Sequence, residues 1–145
     1  MSYVSGNTWV SGPSSETLPL ELTDSDGIPR FSARIHNAVI TMTLSDDRKT
    51  ATSGVIAGIL DTEEASTDFA TRIAMFDSSL CPPSVTGESL VTQLRQSSDI
   101  LVDGTQDPTK SCTGISIGLG FSASVVQLGT VTPYVAPADP CVGVP

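Results

Sequence analysis

Chemistry in this chain would have to begin at its single histidine, His36. An imidazole titrates near neutrality and can act as a general base. Beside a serine and an aspartate it would make a hydrolase, but both residue types are so abundant here that no triad is selected. On a strand, His36 shares a face with Ala38 and Ile40, which favours a buried, satisfied histidine. The phosphate-loop pattern G-x-x-x-x-G-K-[ST] is absent. Gly118-Leu119-Gly120 lies inside a predicted strand with no helix start after it, so it is not a dinucleotide fingerprint.

Carboxylates are the other candidates. Asp24-Ser25-Asp26-Gly27 has the look of half a calcium loop, and Asp99, Asp103 and Asp107 could converge on a cation. Calcium takes six or more oxygens, and neither group supplies that many side chains. The competing readings are a helix end at Asp103-Gly104 and a turn at Asp107-Pro108. Glu63, Glu64 and Asp68 suggest paired carboxylates for glycoside hydrolysis. Their place in the first two turns of a helix is better explained by the helix dipole, and carboxylates on one helix face do not oppose each other across a cleft. No catalytic residue, cofactor or metal ligand is therefore assigned.

The totals restrict the partners. The chain has 145 residues, the size of one domain. Sixteen acids against seven bases give a net charge of −9, which disfavours nucleic acid and anionic membrane surfaces. Only 16% of residues are charged, so Ser and Thr must make much of the polar surface. No apolar run approaches the roughly 20 residues of a membrane span. The N-terminus lacks a basic region followed by an apolar core, so it is not a signal peptide. Either the protein is cytosolic or Met1 begins a mature domain cut from a longer precursor. Low Lys content, high Ser/Thr content and the Pro-rich end favour the second, extracytoplasmic setting.

The elements that would position these side chains follow from periodicity. Residues 114–128 alternate, with Ile115, Ile117, Leu119, Phe121, Ala123 and Val125 on one side and Ser116, Gly118, Gly120, Ser122 and Ser124 on the other. This is a strand, heavy on one face and nearly bare on the other. It is expected to seat a helix pair, with its bare face covered by a close backbone or left as a flat surface for another sheet or for self-association. Leu18 to Leu22 alternate as a strand that Pro19 places at a sheet edge. Residues 33–44 and 52–60 form a hairpin around SDDRKT (45–50), after a turn cluster at 23–29. Asp61-Thr-Glu-Glu starts a helix as a capping box, with a stripe of Ala65, Phe69, Ile73, Phe76 and Leu80. It stops near Asp77, and Cys81-Pro82-Pro83 prevents continuation. Thr86 caps a second helix that turns Leu90, Leu94 and Leu101 inward and ends at Gly104.

Three strands, two helices and a strand predict an α+β domain over residues 1–131: an antiparallel sheet of four or five strands with a two-helix excursion on one face. Residues 1–16 are expected to be loosely ordered, and 132–145 to be a Pro-rich tail or linker. Cys81 and Cys112 bracket a predicted helix, so a Cys81–Cys112 disulfide is expected, leaving Cys141 over. Three reduced thiols in a cytosolic protein are the alternative.

Three stretches together resemble a group of uncharacterised secreted proteins or lipoproteins of myxobacteria and related bacteria. They are IHNAVITMTLSDDRKTATSGVIAGILDTEE (35–64), LRQSSDILVDGTQDPTK (94–110), and CTGISIGLGFSASVVQLG (112–129) with a Pro-rich end closing in DPC. The resemblance implies export, a preceding segment and disulfide use, and it implies no activity. The expectation is a non-catalytic structural or binding domain of a secreted or surface-anchored protein, with an unidentified protein or surface partner and with homo-oligomers allowed. The rivals are a hydrolase using His36 and a calcium-dependent adhesion module.

Overall fold

A computed structural model describes residues 2–13, 15–23, 29–131 and 141–142. The strands are β1 (Ser2–Ser5), β2 (Thr8–Ser11), β3 (Leu18–Thr23), β4 (Pro29–Leu44), β5 (Thr50–Asp61) and β6 (Gly114–Ser124), and the helices are α1 (Thr62–Arg72) and α2 (Val85–Gln96). The six strands form one antiparallel sheet in the order β1-β2-β4-β5-β6. β3 also lies on β4, beside Pro29–Ile35, while β2 takes the Ile40–Thr43 portion of the same edge. The α+β class and the helical excursion are those expected, with six strands instead of four or five. The extra pair is the β1–β2 hairpin, so residues 2–11 join the sheet instead of lying loose.

The β4–β5 hairpin turns where the polar run predicts. Ser45 N–H donates to Thr50 O (2.9 Å) and Arg48 N–H to Ser45 O (2.9 Å). Both arms are irregular: Asn37 and Ser53 have positive φ, and the register shifts near both. The shift after His36 breaks the alternation that would have carried His36, Ala38 and Ile40 along one face.

α1 starts as its sequence dictates. The Asp61 carboxylate accepts from the N–H groups of Glu63 (2.9 Å) and Glu64 (3.0 Å), satisfying two donors that have no intrahelical partner. α1 stops at Arg72, and two short 3-10 segments, Ile73–Met75 and Ser78–Leu80, follow. The apolar stripe is therefore cut. Ile73 is buried, but Phe76 is 64% exposed. α2 is capped by the Ser84 hydroxyl, which accepts from Gly87 N–H (3.2 Å), not by Thr86. It ends at Gln96, well short of Gly104. The hydroxyls of Ser97 and Ser98 donate to the carbonyls of Gln93 (3.0 Å) and Arg95 (2.9 Å), occupying the helix's last acceptors. Gly104 instead closes a turn back to the Leu101 carbonyl (2.8 Å), with φ of 85°.

Packing corrects a second expectation. α1 lies against β4 and β5, and α2 lies against α1. β6 does not seat the helices. It closes the sheet beside β5, with Ile117, Leu119 and Phe121 half-buried and its Gly/Ser side exposed. A Cβ at Gly118 would meet nothing within 4 Å, so no close backbone explains the bare side. The core sits under α1, around Ile35 (0% exposed), Ala33 and Ile73, while Ile59 is buried on the other face of β5, beside Gly104 and Gly114. Fully burying a side chain such as Ile35 contributes about 1.5–3 kcal/mol.

The bridge joins Cys81 to Cys141, with a Cα–Cα distance of 5.5 Å, and Cys112 is an exposed free thiol. The expected Cys81–Cys112 pairing is thus replaced. Cys112 is drawn away to the start of β6 by hydrogen bonds that fix its neighbours, Thr113 N–H to Ile100 O (3.1 Å) and Thr62 N–H to Thr113 O (3.0 Å). The segment holding Cys141 is tied to the domain, while the proposed tail at 132–140 and 143–145 lies outside the described residues.

Candidate functional site

An apolar recess with charged walls lies between α1 and the sheet, where the first turn of α1 follows the end of β5. Ala33 and Leu60 form its floor, and Ala65, Phe69, Ile73, Phe76 and Leu94 its sides. Its volume is about 340 Å³, within the range of small-ligand sites. Arg34, Asp61, Glu64, Asp68 and Arg72 supply its charged lining. Ala33 and Ala65, both small, leave space in the recess that larger side chains would fill.

His36 stands beside this recess. Its Nε2 is 3.7 Å from Glu64 Oε2, and Arg34 Nη1 is 3.7 Å from Glu64 Oε1. Glu64 is thus held between two basic groups at the N-terminus of α1, where the helix dipole also favours a carboxylate. The His36 side chain is 29% exposed, yet its Nε2 is covered and lacks a hydrogen-bond partner. Its Nε2 is thus not satisfied by a hydrogen bond, as a buried histidine's was expected to be, and among the described residues it meets no nucleophile. The imidazole lines a shallow depression with Ser15, Thr17, Asn37, Asp61 and Asp103, but the Asp61 carboxylate is committed to the α1 cap.

One serine escapes a search for chemistry unless Gly114-Ile115-Ser116-Ile117-Gly118 is read as G-x-S-x-G. That pattern makes a nucleophile elbow only on a sharp strand-to-helix turn. Here it runs through the regular strand β6. Ser116 is level with Ile59, and Ile59 with His36, so the three form a row across β6, β5 and β4. Two interstrand steps of about 4.8 Å put Ser116 and His36 roughly 10 Å apart, with buried Ile59 between them. This row cannot pass a proton directly.

The other carboxylates do not converge. Asp99 accepts the N–H of Ser116 (2.8 Å) and its hydroxyl. Asp103 accepts the N–H (2.9 Å) and hydroxyl (2.7 Å) of Thr105, and Asp107 those of Thr109 (2.9 and 2.7 Å). In each case the hydroxyl first, and then the N–H, holds the carboxyl below its usual pKa. Asp103 and Asp107 are each engaged within their own turn and Asp99 with the edge of β6, and among the described residues no three His, Cys, Asp or Glu side chains gather as a metal would need. Asp24-Ser25-Asp26-Gly27 lies outside the described residues. Glu63 pairs with Arg95 through two nitrogens (3.1–3.2 Å), fastening α1 to α2, while Glu64 faces Arg34 and Asp68 lines the cavity. The three acids therefore serve separate ends and do not oppose one another across a cleft.

Arg34 and Arg72 were legible only as surface bases. Arg34 precedes His36 by two residues on a strand, which is the one local sign that both could meet a single carboxylate. Among the described residues, no helix is long and apolar enough to cross a membrane. No protein-family model matches the chain, and no curated protein or solved structure matches it significantly.

Proposed function

We propose that this chain is a binding domain of an exported protein and that the recess under α1 takes a small, largely apolar ligand. The cavity itself carries the reading: about 340 Å³, floored and walled by Ala33, Leu60, Ala65, Phe69 and Ile73. An apolar hollow of this kind gains dispersion contacts when an apolar molecule fills it. Arg34, Glu64, Asp68 and Arg72 would orient a polar end. The exported setting is supported by the disulfide, which persists in oxidising compartments, and by the resemblance to secreted proteins and lipoproteins. A hydrolase is not favoured, because His36 Nε2 has no hydrogen-bonded hydroxyl.

The test is a fluorescence titration with 1-anilinonaphthalene-8-sulfonate, competed by 1-decanol. One saturable site that decanol displaces and that Ala65→Trp abolishes, with an unchanged melting temperature, is the expected result. Absence of saturation, or a response that Ala65→Trp leaves intact, refutes the assignment.

A further inference from the structure

Past Ser116 the outer edge of β6 is, among the described residues, an unpaired row of backbone groups, and its alternation can be fixed from the bonds the strand makes elsewhere. Gly114 N–H donates outward to Ile100 O (2.8 Å), and Ser116 N–H donates outward to Asp99 (2.8 Å). Odd positions bond the other way: Thr113 O accepts from Thr62, and Val125 N–H donates to Lys49 O (2.8 Å). Even residues therefore face away from β5. Past Ser116, the outward N–H and C=O groups are those of Gly118, Gly120, Ser122 and Ser124, and no strand pairs with them among the described residues.

Proteins ordinarily guard such an edge with a charge, a proline or a bulge. β6 has none of these. From Gly114 to Val131, 18 consecutive residues contain no Asp, Glu, Lys, Arg or Pro. The register shift beside it belongs to β5, at Ser53, so β6 stays regular. Among the described residues Asp99 and Ile100 cover the start of the edge and reach no further than Ser116.

We infer that this edge pairs with the same edge of a second copy, antiparallel, about a two-fold axis at Phe121. In that register Gly118 faces Ser124 of the copy and Gly120 faces Ser122. In an antiparallel ladder each such pair exchanges both of its hydrogen bonds, so all four outward residues are satisfied in each chain. The interface is isologous, one patch serving both copies. The odd residues then meet as close, non-hydrogen-bonded pairs: Phe121 with Phe121, and Leu119 with Ala123. These side chains lie on the half-buried side of β6, which neither helix covers extensively, so pairing gives them a shared apolar face. The opposite outer edge, β1, is also uncharged but offers only the four residues Ser2–Ser5, against the eleven of β6. A chain of net charge −9 repels its copy, and here the meeting strands carry no charge at all. The bare Gly/Ser side offers no bulk to obstruct the approach.

The test is sedimentation equilibrium of the whole chain across micromolar to submillimolar concentrations. A monomer–dimer equilibrium that tightens with added salt is expected, because salt screens the repulsion. Ser122→Pro removes one outward donor per chain without costing a bond to β5. It should weaken the dimer at least about tenfold, by leaving facing carbonyls unpaired, while the melting temperature of the dilute monomer holds. Phe121→Cys, in a Cys112→Ser background, should form a disulfide-linked dimer on mild oxidation. Non-hydrogen-bonded partners sit about 4.5 Å apart at Cα, within disulfide reach. A monomer at every concentration overturns the inference, as does a dimer indifferent to Ser122→Pro. Slow amide exchange at Gly118 and Gly120 in a proven monomer would also overturn it, by showing the edge covered within one chain.

Discussion

The carboxylate of Asp99 takes both polar donors of Ser116, its N–H at 2.8 Å and its hydroxyl, and so ties the loop after α2 to the edge of the sheet. The hydroxyl chiefly, with the N–H adding to it, holds the Asp99 carboxyl below its ordinary value of 3.8. A carboxylate whose pKa is lowered on folding adds stability above its unfolded pKa and loses it as pH falls through the folded one. Asp103 and Asp107 are shifted the same way, as is Asp47, mainly by the Ser45 hydroxyl, and Asp77, mainly by Ser79 N–H. The melting temperature should therefore be level from pH 7 to 5 and fall below 3.8. Asp99→Asn should lower the neutral value and flatten the acid slope, as thermal melts across a pH series will check.

Gly54 and Phe121 interlock across β5 and β6. A Cβ at Gly54 would sit 2.6 Å from the Phe121 ring. Gly54→Ala should cost about 1–3 kcal/mol through forced repacking. Phe121→Leu in the same chain should return part of it, because the clash is with the ring alone. Urea unfolding of the single and double variants measures both numbers.

The Cys81–Cys141 bridge spans 60 residues of sequence. In the chain-entropy description a loop of that length contributes about 4 kcal/mol. Reduction, or Cys81→Ser, should lower the melting temperature strongly, whereas Cys112→Ser should leave it unchanged. Peptide mapping by mass spectrometry without reductant should recover Cys81 joined to Cys141.

Asp61 carries the start of α1 through its bonds to Glu63 and Glu64. Asp61→Ala should destabilise by about 1 kcal/mol, whereas Asp61→Asn, another good cap, should cost much less. The same change should loosen the α1 wall of the recess, so dye binding should weaken beyond what stability alone predicts. Titrations at a temperature where both variants are folded test this.

Much was written locally. Asp61 announces the α1 cap, the SDDRKT run turns the hairpin, Pro19 marks an edge strand, and the alternation around Leu119 makes a strand, because each depends on neighbours within a few residues. Thr86 is a plausible cap that loses to Ser84, whose hydroxyl accepts from Gly87 N–H and starts the helix two residues earlier. The candidate site was less legible. His36, Glu63, Glu64 and Asp68 were visible as residues, but their division among Arg34, Arg95 and the recess was not.

Periodicity and capping, both short-range, determined from the sequence alone that strands come first, then a helix pair, then a last strand, and which side of that last strand is heavy. Only tertiary structure decided that β6 closes the sheet instead of seating the helices, that Cys81 meets Cys141, and that Ile59 stands between His36 and Ser116. Those outcomes follow from the register of strands and loops distant in sequence. A one-residue slip turns every side chain to the other face, so no local pattern encodes them.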